Sequence, residues 1–412
     1  MLSNGGADRD LYEKYRHFVN SSYPSFLAKL GLDRIAIKAE AALITDSSGK
    51  TYLDCIGGYG LFNIGHNHPR LIKSLIDQLN KGELLTRPLL TEVQVRLAEA
   101  LSEIAPGDLT CSFLCNSGSE AIDSALKLAR LHTRKKKIIA AENSFHGYTF
   151  GALSASGIAS FKHPFEPLVP EIVHVPYADA EKLGQAISDD TAAVLLEPIQ
   201  HEAGVFVPPA DYLPKVQKIC QDRNVLFILD EIKTGLGKTG WMFASEKFKV
   251  APDILVLGKS LGGGAIPIGA LIARKHLWKK FSLSFSMSAS SYGGNALACR
   301  AALTTIEILR ENHLVGECQE KGRLLSEQLR SFCQKYPSVL RDVRGMGLLL
   351  GVETANGQKS FELAKEMVKR GVLMMPAYGN PAVLMIEPPL VITFEQIEAL
   401  LAAFGEACDL LK

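Results

Sequence analysis

Between Cys111 and Arg274, seven short apolar runs alternate with segments of helical periodicity, and this alternation constrains the fold more than any other feature of the chain. The runs read SFLC, IIAAEN, IVHVPY, AAVLLEP, VLFILD, DILVLG and PIGALIA. Strands buried on both faces of a sheet read as continuous apolar runs instead of alternating ones. Strand and helix taking turns then gives an α/β large domain with a mostly parallel seven-stranded sheet and helices on both faces. After Gly294 the pattern changes to two long amphipathic stretches, ALACRAALTTIEILREN and GECQEKGRLLSEQLRSFCQKY, followed by a short α+β tail. We therefore expect an N-terminal arm with part of a small domain over 1–60, a large domain over 61–300 and a smaller α+β domain over 301–412. In the arm, the turn DSSGKTY from Asp46 to Tyr52 predicts a hairpin, and Pro69 opens the helix PRLIKSLIDQLNK.

Charge and cysteine usage narrow the function classes. With 45 basic against 44 acidic residues, the formal charge of +1 gives no electrostatic case for nucleic acid or an anionic membrane. No apolar segment approaches the ~20 residues that span a bilayer. Eight cysteines are scattered, several in apolar runs, which is the pattern of reduced core thiols. Cys111 and Cys115 have no second close pair, so no metal site is expected. Asp8, Arg9, Asp10, Glu13 and Lys14 precede any apolar run, unlike a signal peptide. The expectation is a cytoplasmic enzyme acting on small molecules.

Two of the apolar runs end on chemistry, VLFILD on Asp230 and DILVLGK on Lys259. Ligands of open parallel sheets sit outside the carboxyl ends of the strands, where both residues fall. An acid and an amine delivered there suit pyridoxal 5′-phosphate: the amine can form a Schiff base with its aldehyde, and the acid can pair with its ring nitrogen. In CNSGSEAIDSALKLAR, Ser117 and Glu120 have capping-box spacing, and Ser117, Gly118 and Ser119 offer a helix N-terminus to a phosphate. NSFHGYT places Phe145 where an aromatic can stack on a flat ring, with His146 beside it. LEPIQHEAG brings Glu197 and Glu202 to the end of a third strand. Two nucleotide motifs fail: GLGKTG does not follow its strand directly, and the Walker pattern meets Ile232 and Asp253 where it needs Gly.

LDEIKTGLGKTG followed by LGKSLGGGAIPIGA resembles the fold-type I, class III aminotransferases, and among them the putrescine and ornithine/acetylornithine group. The resemblance runs from about Tyr52 to Thr393. It implies that Lys259 carries the cofactor and moves the proton, that Asp230 meets the ring nitrogen, that Gly118 and Ser119 hold the phosphate, and that Phe145 and Ile232 face the two sides of the ring. Lys233 stands where related enzymes have a Gln that donates to the ring hydroxyl. Tyr59 falls in YLDCIGGYGLFNIGHNHP, similar to the segment lining the substrate entrance. Ser291, in SSYGGNALAC, matches a hydroxyl that reaches the phosphate of the neighbouring subunit, which implies a homodimer with shared sites.

The implied reaction is ping-pong transamination from an amine donor to a 2-oxo acid acceptor. This chain departs from the pattern at His201, where similar enzymes have Gly, and at Met385 in VLMIEPPLVIT, where they have an Arg that can clamp a carboxylate. With that Arg gone, Glu202 is left to meet a substrate ammonium. The expected donor is then a primary amine, a diamine or an ω-amino compound. An ornithine-like amino-acid aminotransferase, with Lys233 or Arg344 as the clamp, and an epimerase, aminomutase or decarboxylase on the same scaffold are the alternatives.

Overall fold

The computed structural model describes residues 5–84, 89–282 and 289–412. Two helices, Gly5–Phe18 and Tyr23–Leu30, lead into three antiparallel strands, β1 (Ala36–Glu40), β2 (Leu43–Asp46) and β3 (Thr51–Asp54). The β2–β3 turn is held by Asp46, whose Oδ1 accepts the N–H groups of Ser48 at 2.9 Å and Lys50 at 3.1 Å. A short acidic side chain doing this is why such a turn is legible in sequence.

All seven apolar runs become strands: β4 (Leu109–Cys115), β5 (Lys137–Ala141), β6 (Ile172–Val175), β7 (Thr191–Leu196), β8 (Leu226–Asp230), β9 (Ile254–Leu257) and β10 (Gly269–Arg274). They form one sheet in the order β4-β10-β9-β8-β7-β5-β6. The pairs from β9 to β6 are parallel, whereas β10 runs antiparallel to both β4 and β9. Side chains alternate across the sheet. Ile138, Ala193, Leu195, Ile228 and Val256 meet one core layer, shared with Ala121, Ile122 and Ala125 of the helix Gly118–Thr133. Their neighbours Ile139, Val194, Leu196, Leu229 and Leu257 meet the opposite layer. With both faces covered, β7 and β9 are buried along their whole length, which explains the unbroken apolar runs.

The remaining strands are β11 (Leu340–Met346), β12 (Leu349–Thr354), β13 (Val372–Leu373), β14 (Met375–Pro376) and β15 (Val383–Ile386). β13 pairs in parallel with β3, so the two ends of the chain share a sheet, while β11, β12, β15 and β14 form another. The turn after β15 is fastened to the loop that follows β8 and to the helix Leu314–Lys335. Lys238 Nζ donates to the carbonyls of Glu387 at 3.3 Å and Pro388 at 2.8 Å, and Lys321 Nζ to that of Leu390 at 3.1 Å. No helix among the described residues is long and apolar enough to cross a membrane.

Candidate active site

β8 and β9 lie side by side in parallel, so their carboxyl ends bring Asp230 and Lys259 to the same edge. A cavity of about 190 Å³ opens there, with both residues in its wall. Lys259 begins a tight 3₁₀ turn, Lys259–Gly262, and holds φ at +44°, a left-handed conformation that side-chain-bearing residues rarely adopt.

Asp230 is buried and doubly held. Its Oδ1 accepts the Ile232 N–H at 3.0 Å, and its Oδ2 lies 2.7 Å from His146 Nδ1. The other ring nitrogen of His146 is buried without a hydrogen-bond partner. His146, Phe145 and Gly147 also line the cavity. Glu197 sits behind them, its Oε1 accepting the Phe145 N–H at 3.0 Å and its Oε2 the His201 N–H at 3.4 Å. Burial pushes the Glu197 carboxyl up to about 7, and the nearby Asp230 adds to the shift.

The helix Gly118–Thr133 points its N-terminus into the same cavity, with Ser117, Gly118 and Ser119 in the wall. Ser117 Oγ accepts the Glu120 N–H at 3.2 Å, and the Glu120 carboxylate accepts the Asn116 N–H at 2.9 Å. The first N–H groups of a helix have no partner within it and attract an anion. Gly118 lets the helix pack against Ile232: a Cβ there would lie 2.7 Å from Ile232 Cδ1 and force that side chain to shift. An anion site at one end, an apolar wall from Phe145 and Ile232, a held carboxylate and an amine together fit a phosphorylated aromatic aldehyde. Among the described residues no group of three or more His, Cys, Asp or Glu side chains could hold a metal ion.

Beyond this lies a buried charged row that joins three parts of the chain. Lys233, in the cavity wall and 6% exposed, donates through Nζ to Glu387 Oε2. His201 Nε2 lies 2.5 Å from Glu387 Oε1, and His201 Nδ1 lies 3.2 Å from Glu202 Oε1. Glu202 Oε2 accepts the Tyr378 N–H at 3.3 Å. Burial holds the Lys233 ammonium down to about 8 although Glu387 opposes the shift. Glu387 itself is kept well below the usual carboxylate range: burial opposes this, and Lys233 and His201 outweigh it.

Of the residues singled out in sequence, Ser117, Gly118, Ser119, Phe145, His146, Glu197, Asp230, Ile232, Lys233 and Lys259 all line the one cavity. Glu202 stands just behind it, against His201. Tyr59 is placed with its hydroxyl 3.0 Å from that of Tyr378. Met385 is buried, 3% exposed, in a small apolar cluster with the cavity residue Ile199. Ser291 is exposed and lies outside the cavity wall of its own chain. Sequence reasoning missed Glu387, Tyr378 and Tyr148, the last of which lines the cavity. Glu387 carried a signal, since it ends the apolar run VLMI as Asp230 ends VLFIL.

The class-III aminotransferase family matches residues 29–408. The chain is similar in structure to ornithine aminotransferase from Toxoplasma gondii, at 30% identity and TM-score 0.91, covering 98% of this chain and 95% of that one. A second structure of that enzyme is described as showing partial occupancy of pyridoxal phosphate at its active site. A transaminase from the marine bacterium Virgibacillus matches at 27% identity and TM-score 0.91, covering 98% of this chain and all of that one, 100%. A thermostable omega transaminase engineered for bulky amines matches at 28% identity and TM-score 0.89, covering 97% and 98% of the two chains.

Proposed function

This chain belongs to the class-III aminotransferase family, and from that premise we propose that it moves an amino group from a primary amine, a diamine or an ω-amino compound to a 2-oxo acid. Enzymes of this family work with pyridoxal 5′-phosphate, which supplies an aldehyde to take up the amino group and a ring to draw electrons from the reacting carbon. Lys259 would hold the cofactor's aldehyde end through Nζ and would take and return the substrate proton at that atom. Asp230 would meet the ring nitrogen, and His146, 2.7 Å away, fixes the carboxylate that does so. Ser117, Gly118 and Ser119 would receive the phosphate, with Phe145 and Ile232 giving the ring an apolar wall that excludes water.

The substrate class rests on the position where related enzymes carry an arginine, here packed behind the cavity residue Ile199. Here Met385 is buried among apolar side chains, and a thioether cannot clamp a carboxylate. The two cations that could replace the arginine are engaged elsewhere. Lys233 is paired with Glu387, and Arg344 donates to the Gly204 carbonyl at 2.8 Å and pairs with Glu353. We also read the protein as a cytoplasmic homodimer in which Ser291 serves the neighbouring subunit's phosphate site; its exposure in the single chain, with Leu89 and Leu90 also exposed, supports that reading.

The test compares kcat/KM for putrescine and a simple alkyl amine with that for ornithine and glutamate, in wild type and in Met385→Arg. The amines should lead in wild type, and the arginine should shift preference toward the amino acids. A wild-type preference for the α-amino acids of about tenfold, or about 1.4 kcal/mol in transition-state terms, would overturn the assignment.

A further inference from the structure

A transaminase of this kind must admit two substrates of opposite character into one cavity, and the charged row beside Lys233 contains a group, His201, that can lose its positive charge between them. His201 is 2% exposed, and each of its ring nitrogens faces a carboxylate from a different part of the chain, Glu387 at 2.5 Å and Glu202 at 3.2 Å. Carboxylates accept and do not donate, so both contacts are satisfied only when both nitrogens carry protons. As placed, His201 and Lys233 balance Glu202 and Glu387, and the row is neutral. A neutral His201 leaves the row with one negative charge in excess, on the side of Glu202.

We infer that His201 is a specificity-determining residue: it gives up its proton when an ammonium-tipped donor takes over Glu202, and keeps it when a carboxylate-tipped acceptor enters. The inference deepens the amine-donor reading above and rests on it. An arriving ammonium can replace the Nδ1–H at Glu202 Oε1 only if the imidazolium charge leaves, since two cations would otherwise share one carboxylate. The proton passes to solvent, and no bond to carbon is made or broken. An arriving carboxylate needs the imidazolium retained, because Glu202 would otherwise repel it. Histidine suits the task because its charge changes near neutral pH, which an arginine cannot do.

The other charges facing this position are accounted for. The Glu197 carboxylate accepts the His201 backbone N–H at 3.4 Å, Lys233 reaches His201 only through Glu387, and Lys238 binds the Glu387 and Pro388 carbonyls. Lys259 acts on Glu202 and Lys233 through space. Lys233, held down to about 8, and Glu197, pushed up to about 7, also titrate between about pH 6 and about pH 9, so a slope belongs to His201 only in so far as replacing His201 reduces it.

The experiment uses ratios, so that ionisation of Lys259 and of the reacting amine cancels. For the holoenzyme, kcat/KM is measured from about pH 6 to about pH 9 for putrescine against butylamine, and for 2-oxoglutarate against pyruvate. The first ratio should rise with pH and the second should fall across the same window, each by at most about tenfold per pH unit for one linked proton. Both slopes should be reduced in His201→Gln, with what remains carried by Lys233 and Glu197. Flat ratios in wild type, or unchanged slopes in the variant, would overturn the inference. If His201→Gln does not fold, the wild-type slopes are joined by calorimetric titration with tetramethylputrescine, a tertiary diamine that cannot condense with an aldehyde. In buffers of different ionisation heat it should release a proton on binding, and no release overturns the inference. A preference for glutamate over putrescine with both slopes intact would refute the amine-donor reading alone.

Discussion

Glu387→Gln is the substitution that bears most directly on how the site is held together. Glu387 is 1% exposed, and its carboxylate takes contacts from both Lys233 and His201. A glutamine keeps one accepting oxygen but no charge, so at least one buried cation loses its counter-ion. Removing one partner of a buried pair costs ~3–5 kcal/mol. Lys233 limits the loss: burial already holds its ammonium down to about 8, so without Glu387 it sheds its proton near neutral pH and does not remain as a bare buried charge. The lower half of that range is therefore expected. At roughly 2.1 cal/mol/K per residue the chain's unfolding entropy is about 0.9 kcal/mol/K, which converts a cost of ~3–4 kcal/mol to a melting-temperature loss of about 3.5–4.5 °C. Thermal unfolding of the apoenzyme at neutral pH and fixed protein concentration reads this. The companion variant Lys233→Met, Glu387→Gln removes the stranded lysine with its partner and should recover more than half of the loss. A single-variant shift below about 1 °C, or no recovery in the double, would show that the row is not a stabilising ion pair.

Glu197 gives a pH-dependent outcome. Its folded carboxyl titrates near 7 against an ordinary 4.5, so the stability it contributes is present below 4.5 and is lost as pH rises through 7. Melting of apo Glu197→Gln relative to wild type should therefore improve from acid to mildly alkaline pH, by as much as about 3 kcal/mol; a difference independent of pH would contradict the burial argument. Gly147 holds φ at +133°, and a Cβ there would overlap Ser119 Oγ. Gly147→Ala should displace Ser119 and weaken cofactor binding by about tenfold or more, about 1.4 kcal/mol. Absorbance titration of apoenzyme with pyridoxal phosphate checks this, and unchanged affinity would remove Ser119 from the phosphate site.

The inner strands of the large sheet were legible because burial on both faces writes itself as unbroken apolar sequence, the half-exposed edge strands β4 and β6 by their place in the alternation, and Asp230 and Lys259 because each ends an apolar run. The direction of β10 was not: PIGALIA is as apolar as the parallel strands of the sheet, and only the path of the chain turns it round. The row from Lys233 to Glu202 was hidden for a different reason. His201 and Glu387 are 186 residues apart, and no local period or spacing records a contact of that separation. His201 stood out as a departure from related enzymes, and Glu387 ended an apolar run, but only the fold brings their side chains together. The pairing of Tyr59 with Tyr378, 319 residues apart, was hidden in the same way.

The left-handed backbone at Lys259 puts foldability and turnover in opposition at one residue. A side chain in that conformation costs ~1–2 kcal/mol, and a glycine would adopt it freely. Folding alone thus favours losing the amine that the chemistry requires. In a lineage released from its reaction, position 259 is where drift would be rewarded early, leaving a sound scaffold with an idle cavity. In a lineage still under selection for turnover, the lysine persists against a standing pull toward glycine.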